Sequence, residues 1–253
     1  MNSENKTTAK EIKKGPRNWV RLFWKYYLIA AGIFLLFILM LNFGWIGDMP
    51  DLDDIENPTA SLASQVYAQD GTPMGKFYLE DRISVKYRDI SPYLLQALVA
   101  TEDKRFYDHY GIDGEGLLRA VAFLGSQGGA STITMQVARN FFLTNEKSFT
   151  RKIYEVLLAW KIEANLSKEQ ILELYMNQIY LGQRAYGFGS AAQIYFGKDI
   201  QRISIAEAAM LAGLPKAPSA YNPVVNYRRA KIRQEYILQR MRDLKMITPS
   251  QYQ

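Results

Sequence analysis

Two acidic residues, Glu102 and Asp103, close a run of apolar side chains, and seven positions beyond Glu102 stands His109, the only histidine among 253 residues. A carboxylate at the end of a buried helix, beside a lone imidazole, is a candidate acid/base site. A solvated helix end is the plainer alternative for the same residues. Ser91 at the N-cap, Pro92 at the first helical position, and Leu94, Leu95, Leu98 and Val99 at core-facing spacing predict a helix leading into the pair. If that helix continues, Phe106 and His109 fall at i+4 and i+7 from Glu102, on one face.

A second carboxylate, Glu155, lies on a helix predicted from Ser148 to about Asn165. Phe149, Ile153, Val156, Leu157, Trp160 and Ala164 form an apolar stripe at helical spacing, with Arg151, Glu155, Leu158 and Ile162 on the other side. With both sides apolar beyond the first turn, the helix is expected to be largely buried. Arg151 at i−4 and Lys152 at i−3 flank Glu155. An ordinary helical ion pair explains this cluster, and so does a carboxylate that needs partners to remain charged at the edge of a core.

Between the two glutamates, Gly128 to Gln136 runs from glycines through Ser131 and Thr132 to Gln136, followed by Arg139, Lys147, Arg151 and Lys152. Backbone N–H groups at a helix start, together with several cations, make a seat for a pyrophosphate. The stretch Gly116–Gly125 is apolar on nearly every side except Arg119. It reads either as a core helix or as a segment dipping into a membrane surface.

The elements that must position these residues follow from patterning. The chain from Tyr26 to Ile46 carries no charge over roughly 20 residues, enough to cross a bilayer core of about 30 Å as a helix. Trp19, Trp24 and Trp45 suit the interfacial belts, and no small-residue cleavage site follows. Residues 1–25 form a basic tail, its first 18 or so polar and disordered in character, and 47–61 an acidic linker. The positive-inside rule therefore places the tail in the cytoplasm and the rest outside. Seven of the 31 basic and two of the 25 acidic residues precede Tyr26, leaving 24 against 23, so the net charge of +6 belongs to the tail and a nucleic-acid partner is not indicated. The absence of cysteine excludes disulfides, and a single histidine does not support a zinc site. Two or three short strands with an Asp70-Gly71 turn are predicted between Ser64 and Tyr87. Helices follow, opened by Ser131/Thr132, by capping boxes Ser167/Gln170 (ending near Ile179) and Ser204/Glu207 (ending at Gly213), and a charged one from about Tyr227 to Leu244.

Assembled in order, these stretches resemble the glycosyltransferase family 51 domain of class A, bifunctional penicillin-binding proteins. Glu102 to Gly111 resembles the family's first motif, Gly129 to Gln136 its second and Arg151 to Glu155 its third. Ile171 to Asn177 with Ile179 to Gly182 is similar to the fourth, and Gly187–Lys198 and Leu211–Pro218 complete the series. Met135, where the family more often has glutamine, and Arg139, often lysine, depart from the pattern. The resemblance covers about 62–245, with 246–253 starting a connecting segment. It implies a mainly α, lysozyme-like glycosyltransferase domain with a short N-terminal β segment, preceded by one transmembrane helix, in a bacterial inner membrane with the catalytic domain on the periplasmic side.

The resemblance further implies polymerisation of lipid II into glycan strands, with inversion at the sugar and release of undecaprenyl pyrophosphate. By analogy Glu102 is the general base. Glu155, with Arg151, Lys152, Arg139 and Lys147, stabilises the donor's pyrophosphate, with a divalent cation such as Mg2+ or Mn2+ optional and Glu155 its one candidate ligand. Asp103, Arg105, His109, Ser131, Thr132 and Gln136 join the substrate-binding set, Asp103, Arg105 and Phe106 holding the helix end and His109 bracing the turn. Moenomycin-type inhibitors and elongation or division machinery are further partners implied by the family. The only Ser-x-x-Lys is Ser3–Lys6 and no Lys-Thr-Gly occurs, so transpeptidase motifs are absent and a fragment of a longer enzyme is expected. A lysozyme-like muramidase or lytic transglycosylase, and a catalytically silent scaffold, are the competing readings.

Overall fold

The computed structural model describes residues 17–42, 64–70, 72–77, 81–123, 129–142 and 149–252. The tail before residue 17, the linker 47–61, Gly128, Lys147 and Ser148 fall outside them. The chain divides into two units, Met1–Met49 and Pro50–Gln253.

The first unit contains one helix, α1 (Arg17–Asn42). It begins before the expected Tyr26, because Arg21 and Lys25 bound the uncharged stretch without ending the helix; straight-chain cations are good helix formers. Its segment Trp19–Phe37 has a mean hydropathy of 1.6 with none of it buried, so by length and composition it can cross a membrane.

The second unit opens with the expected hairpin of β1 (Ser64–Tyr67) and β2 (Pro73–Phe77), paired antiparallel. Its turn is held by Asp70, whose carboxylate accepts from the Thr72 backbone N–H at 3.0 Å and hydroxyl at 2.6 Å. A short strand β3 (Asp81–Arg82) pairs in parallel with β4 (Ala185–Tyr186), a long-range contact that no local pattern announces.

Nine helices follow among the described residues: α2 (Pro92–Glu102), α3 (Gly114–Ala122), α4 (Ile133–Phe142), α5 (Phe149–Asn165), α6 (Lys168–Gln178), α7 (Phe188–Phe196), α8 (Ile205–Ala212), α9 (Tyr227–Asp243) and α10 (Pro249–Tyr252). Both expected capping boxes form, at Ser167/Gln170 and Ser204/Glu207. Ser91 sits at the N-cap of α2 without a side-chain bond, and Pro92 fixes the first turn. Of the Ser131/Thr132 pair, Thr132 caps α4, accepting from Met135 N–H at 3.1 Å. Helix α7 was not anticipated: after Phe188 its buried residues are Gly189, Ser190, Ala191 and Ala192, too small to give an apolar stripe.

Helices α2, α8 and α9 pack on one another, α4 packs on α5 and α6, and α7 touches both α6 and α8. Leu94, Leu98, Phe106, Ile133, Leu158, Ile162, Ile171, Leu172, Tyr175 and Phe188 are fully buried between them.

Three expectations are corrected. Helix α2 ends at Glu102, because Asp103 leaves helical geometry at φ −158°, ψ 78°, so Glu102, Phe106 and His109 do not share a helical face. Helix α5 is not buried all round: Trp160 is 52% exposed, whereas Leu158, Ile162 and Glu155 are 0–1% exposed. Its buried side is thus the one carrying the charge. Leu117 and Leu118 of α3 are 49% and 72% exposed, which overturns the core-helix reading of that stretch.

Gly111 has φ +77°, and a Cβ there would lie 2.9 Å from the carbonyl oxygen of Ala159 in α5. Gly197, ending α7 at φ +64°, faces open space. Gly197→Ala is therefore expected to cost about 1 kcal/mol, the left-handed penalty alone, and Gly111→Ala about 2–4 kcal/mol, because backbone must also move. Urea denaturation of the two variants checks the order.

Candidate active site

The last turn of α2 delivers Glu102 to a cleft of about 580 Å³. The opposite wall comes from the start of α4, with Ser131, Thr132, Gln136 and Arg139, and a third side comes from Lys216 and the α9 residues Arg233, Tyr236 and Arg240. Six cations line the space (Lys104, Arg119, Arg139, Lys216, Arg233 and Arg240) against three carboxylates, Glu102, Asp103 and Asp113. Such a cleft suits a substrate with several negative charges.

The carboxylates differ in what their oxygens touch. Asp103 is 6% exposed and accepts from Ile133 N–H, at the N-terminus of α4, at 3.0 Å. Both its oxygens lie 3.1 Å from His109 Nε2. Asp113 accepts from Gly116 N–H at 3.0 Å and pairs with Arg105, which also pairs with Glu115. Glu102 accepts one bond, from Gln136 Nε2 at 3.1 Å. Burial pushes its carboxyl above the ordinary 4.5; the Gln136 bond and the charges of Arg233, Lys216 and Arg139 pull the other way without cancelling that effect.

Glu155 is 1% exposed and does not line the cleft. It sits 3.3 Å from Arg151 Nε and 2.7 Å from Lys152 Nζ. Lys152 also donates to Ser131 Oγ at 2.8 Å, and Ser131 does line the cleft. The third-motif cluster therefore reaches the site through an ammonium. Among the described residues no group of three metal-ligating side chains forms, and the oxygens of Glu155 already face two cations, a donor set that suits a divalent ion poorly.

Of the remaining expected residues, Ser131, Gln136 and Arg139 reach the cleft, and Lys147 lies outside the described residues. Thr132, 2% exposed, donates to Gly111 O at 2.6 Å, tying the first motif to α4. Arg105 and His109 have side chains 19% and 8% exposed and are engaged internally; Lys168 donates to the His109 carbonyl at 2.6 Å and stands 4.4 Å over the Phe106 ring. Lys104, Lys216, Arg233, Tyr236 and Arg240 were not singled out from sequence. The α9 residues read there only as part of a charged helix, and the fold is what turns them to the cleft. Arg240 Nε donates at 2.8 Å to the carbonyl of Ala100, in the last turn of α2.

A family profile described as Transglycosylase matches residues 70–242, and the chain belongs to the transglycosylase family. Over 244 residues, 95% of this chain, it is 51% identical to penicillin-binding protein 1A of Neisseria gonorrhoeae, and over 239 residues 46% identical to penicillin-binding protein 1A of Pseudomonas aeruginosa. The chain spans 30% and 29% of the length of those relatives. A crystal structure of penicillin-binding protein 1A from Haemophilus influenzae is 29% identical over 76% of this chain and 19% of that one, with a TM-score of 0.44.

Asp103→Ala strands the Ile133 N–H and His109 in the core, so a loss of about 2–4 kcal/mol is expected by denaturant titration. Glu102 behaves oppositely. A carboxyl whose pKa is higher folded than unfolded binds its proton more tightly in the native state, so stability falls as pH rises above 4.5. Glu102→Gln removes that penalty, and its thermal midpoint should exceed the wild type's at pH 7 and converge with it below the ordinary carboxyl range, as thermal melts across pH will check.

Proposed function

We propose that this chain is the glycosyltransferase portion of a membrane-anchored, peptidoglycan-polymerising enzyme acting on lipid II. The observation that carries the reading is a single carboxyl raised by burial, Glu102, set in a cleft otherwise dominated by cations. A base with a pKa moved toward neutrality takes the proton of an acceptor hydroxyl as its oxygen attacks the sugar carbon of the lipid-linked donor. The bond from that carbon to the pyrophosphate breaks on the opposite face, so the anomeric centre inverts. The departing undecaprenyl pyrophosphate carries the electron pair and needs cations to receive it.

Arg139 and Lys152 face that leaving group in this scheme, and Glu155 with Arg151 holds Lys152 in place beside Ser131. Glycan hydrolysis by a muramidase would need a second carboxylate free to activate water. The other two carboxylates lining the cleft, Asp103 and Asp113, are occupied by His109, Arg105 and backbone N–H groups. The transfer reading fits that distribution better. The helix α1, with basic residues before it and acidic ones after Gly47, anchors the domain on the outer side of the cytoplasmic membrane, where lipid II and moenomycin-type inhibitors, and elongation or division proteins, are its partners.

Incubating the chain in detergent with lipid II and separating the products by gel electrophoresis tests the reading: strand growth is expected, and shortening of preformed glycan would instead support hydrolysis. Glu102→Gln should lower polymerisation by about 10²–10⁴-fold while remaining folded. Glycan chains forming at near wild-type rate in that variant would remove Glu102 from the role of base.

A further inference from the structure

We propose that Tyr175 is a positioning residue for Glu102, acting through the side-chain amide of Gln136. The inference deepens the reading of Glu102 as the base and rests on it. Gln136 Nε2 donates to Glu102 Oε2 at 3.1 Å, and Tyr175 Oη donates to Gln136 Oε1 at 3.2 Å. A glutamine amide has two unlike ends, and only the NH₂ end favours an ionised carboxylate; turned over, it presents a carbonyl and repels one. What selects the orientation is the group that meets the amide oxygen, and here that group is a phenol.

The phenol is well suited to holding one orientation. Tyr175 is 1% exposed on α6, among the largest fully buried side chains, so its ring cannot swing away. Burial first, and then the charge of Glu102, push its pKa well above 10, so it remains a donor throughout the working range of pH. The chain of bonds therefore has one direction, from the core hydroxyl through the amide to the carboxylate. The other charged groups acting on Glu102 are Arg233, Lys216 and Arg139. They act through space and remain in place when the core hydroxyl is removed, so its removal isolates the contribution of the Tyr175–Gln136–Glu102 chain.

The test uses the full chain in detergent, with its glutamates carboxyl-labelled with carbon-13 and the Glu102 resonance assigned by its loss in Glu102→Gln. Tyr175→Phe should raise the midpoint of the Glu102 titration by roughly 0.5–1 unit, the size of one hydrogen bond to a carboxylate. Gln136→Met should raise it at least as much, and Tyr175→Phe added to Gln136→Met should move it no further. In lipid II polymerisation the acidic limb of the kcat profile should move with the midpoint while KM holds. A Glu102 midpoint unchanged in Tyr175→Phe, or shifts that add in the double variant, would overturn the proposal even if the thermal midpoint fell. Shifts as expected in a chain that does not polymerise lipid II would uphold the positioning and overturn the transferase reading alone.

Discussion

The carboxylate of Asp103 is where three segments meet: the end of α2, the turn carrying His109 and the first N–H of α4. A helix N-terminus leaves unpaired N–H groups and a partial positive charge, and a buried carboxylate needs donors. Each settles the other's requirement, and the chain is drawn out of helical geometry at residue 103 to allow it. Glu102 is thereby left as the last residue of α2, at the cleft with one hydrogen bond to Gln136, while the oxygens of its neighbour are taken up by the Ile133 N–H and His109. Thr132 fixes the same junction from the other side through Gly111, whose lack of a side chain lets the turn lie against α5.

Two glutamates in one domain end up with different chemistry because of their surroundings, not their type. Glu102 meets an amide and loses water, so its proton is held more tightly. Glu155 is more deeply buried yet lies against Arg151 and Lys152. Paired in this way, it lies between two cations, one of which, Lys152, also donates to Ser131 at the cleft.

Much of this was legible from local chemistry. Serine–glutamine and serine–glutamate spacings gave two helix starts correctly, and an Asp-Gly turn gave the hairpin, since those bonds join near neighbours. The first two motifs likewise brought Glu102 and Gln136 into view. What could not be read was orientation across the fold. In α5 the sequence offers two apolar sides, and hydropathy cannot say that the one with Glu155 faces inward while Trp160 faces out. Helix α9 carries six Lys or Arg and reads only as charged, and its contribution to the cleft exists only because Ala230, Ile237 and Met241 anchor it in the core. Tyr175 entered only as part of the fourth motif, since its partner lies 39 residues away.

The bond from Arg240 to Ala100 spans 140 positions of the chain. A polypeptide made from its N-terminus therefore possesses Glu102 and both walls of α2 and α4 well before it possesses the helix that satisfies the end of α2 and supplies the third side of the cleft. Contacts of such separation are closed late and slowly, after the local helices have formed. The third side of the cleft is thus the last of its walls to be synthesised, and a nascent chain lacks the cations of α9 until residue 240 has been made.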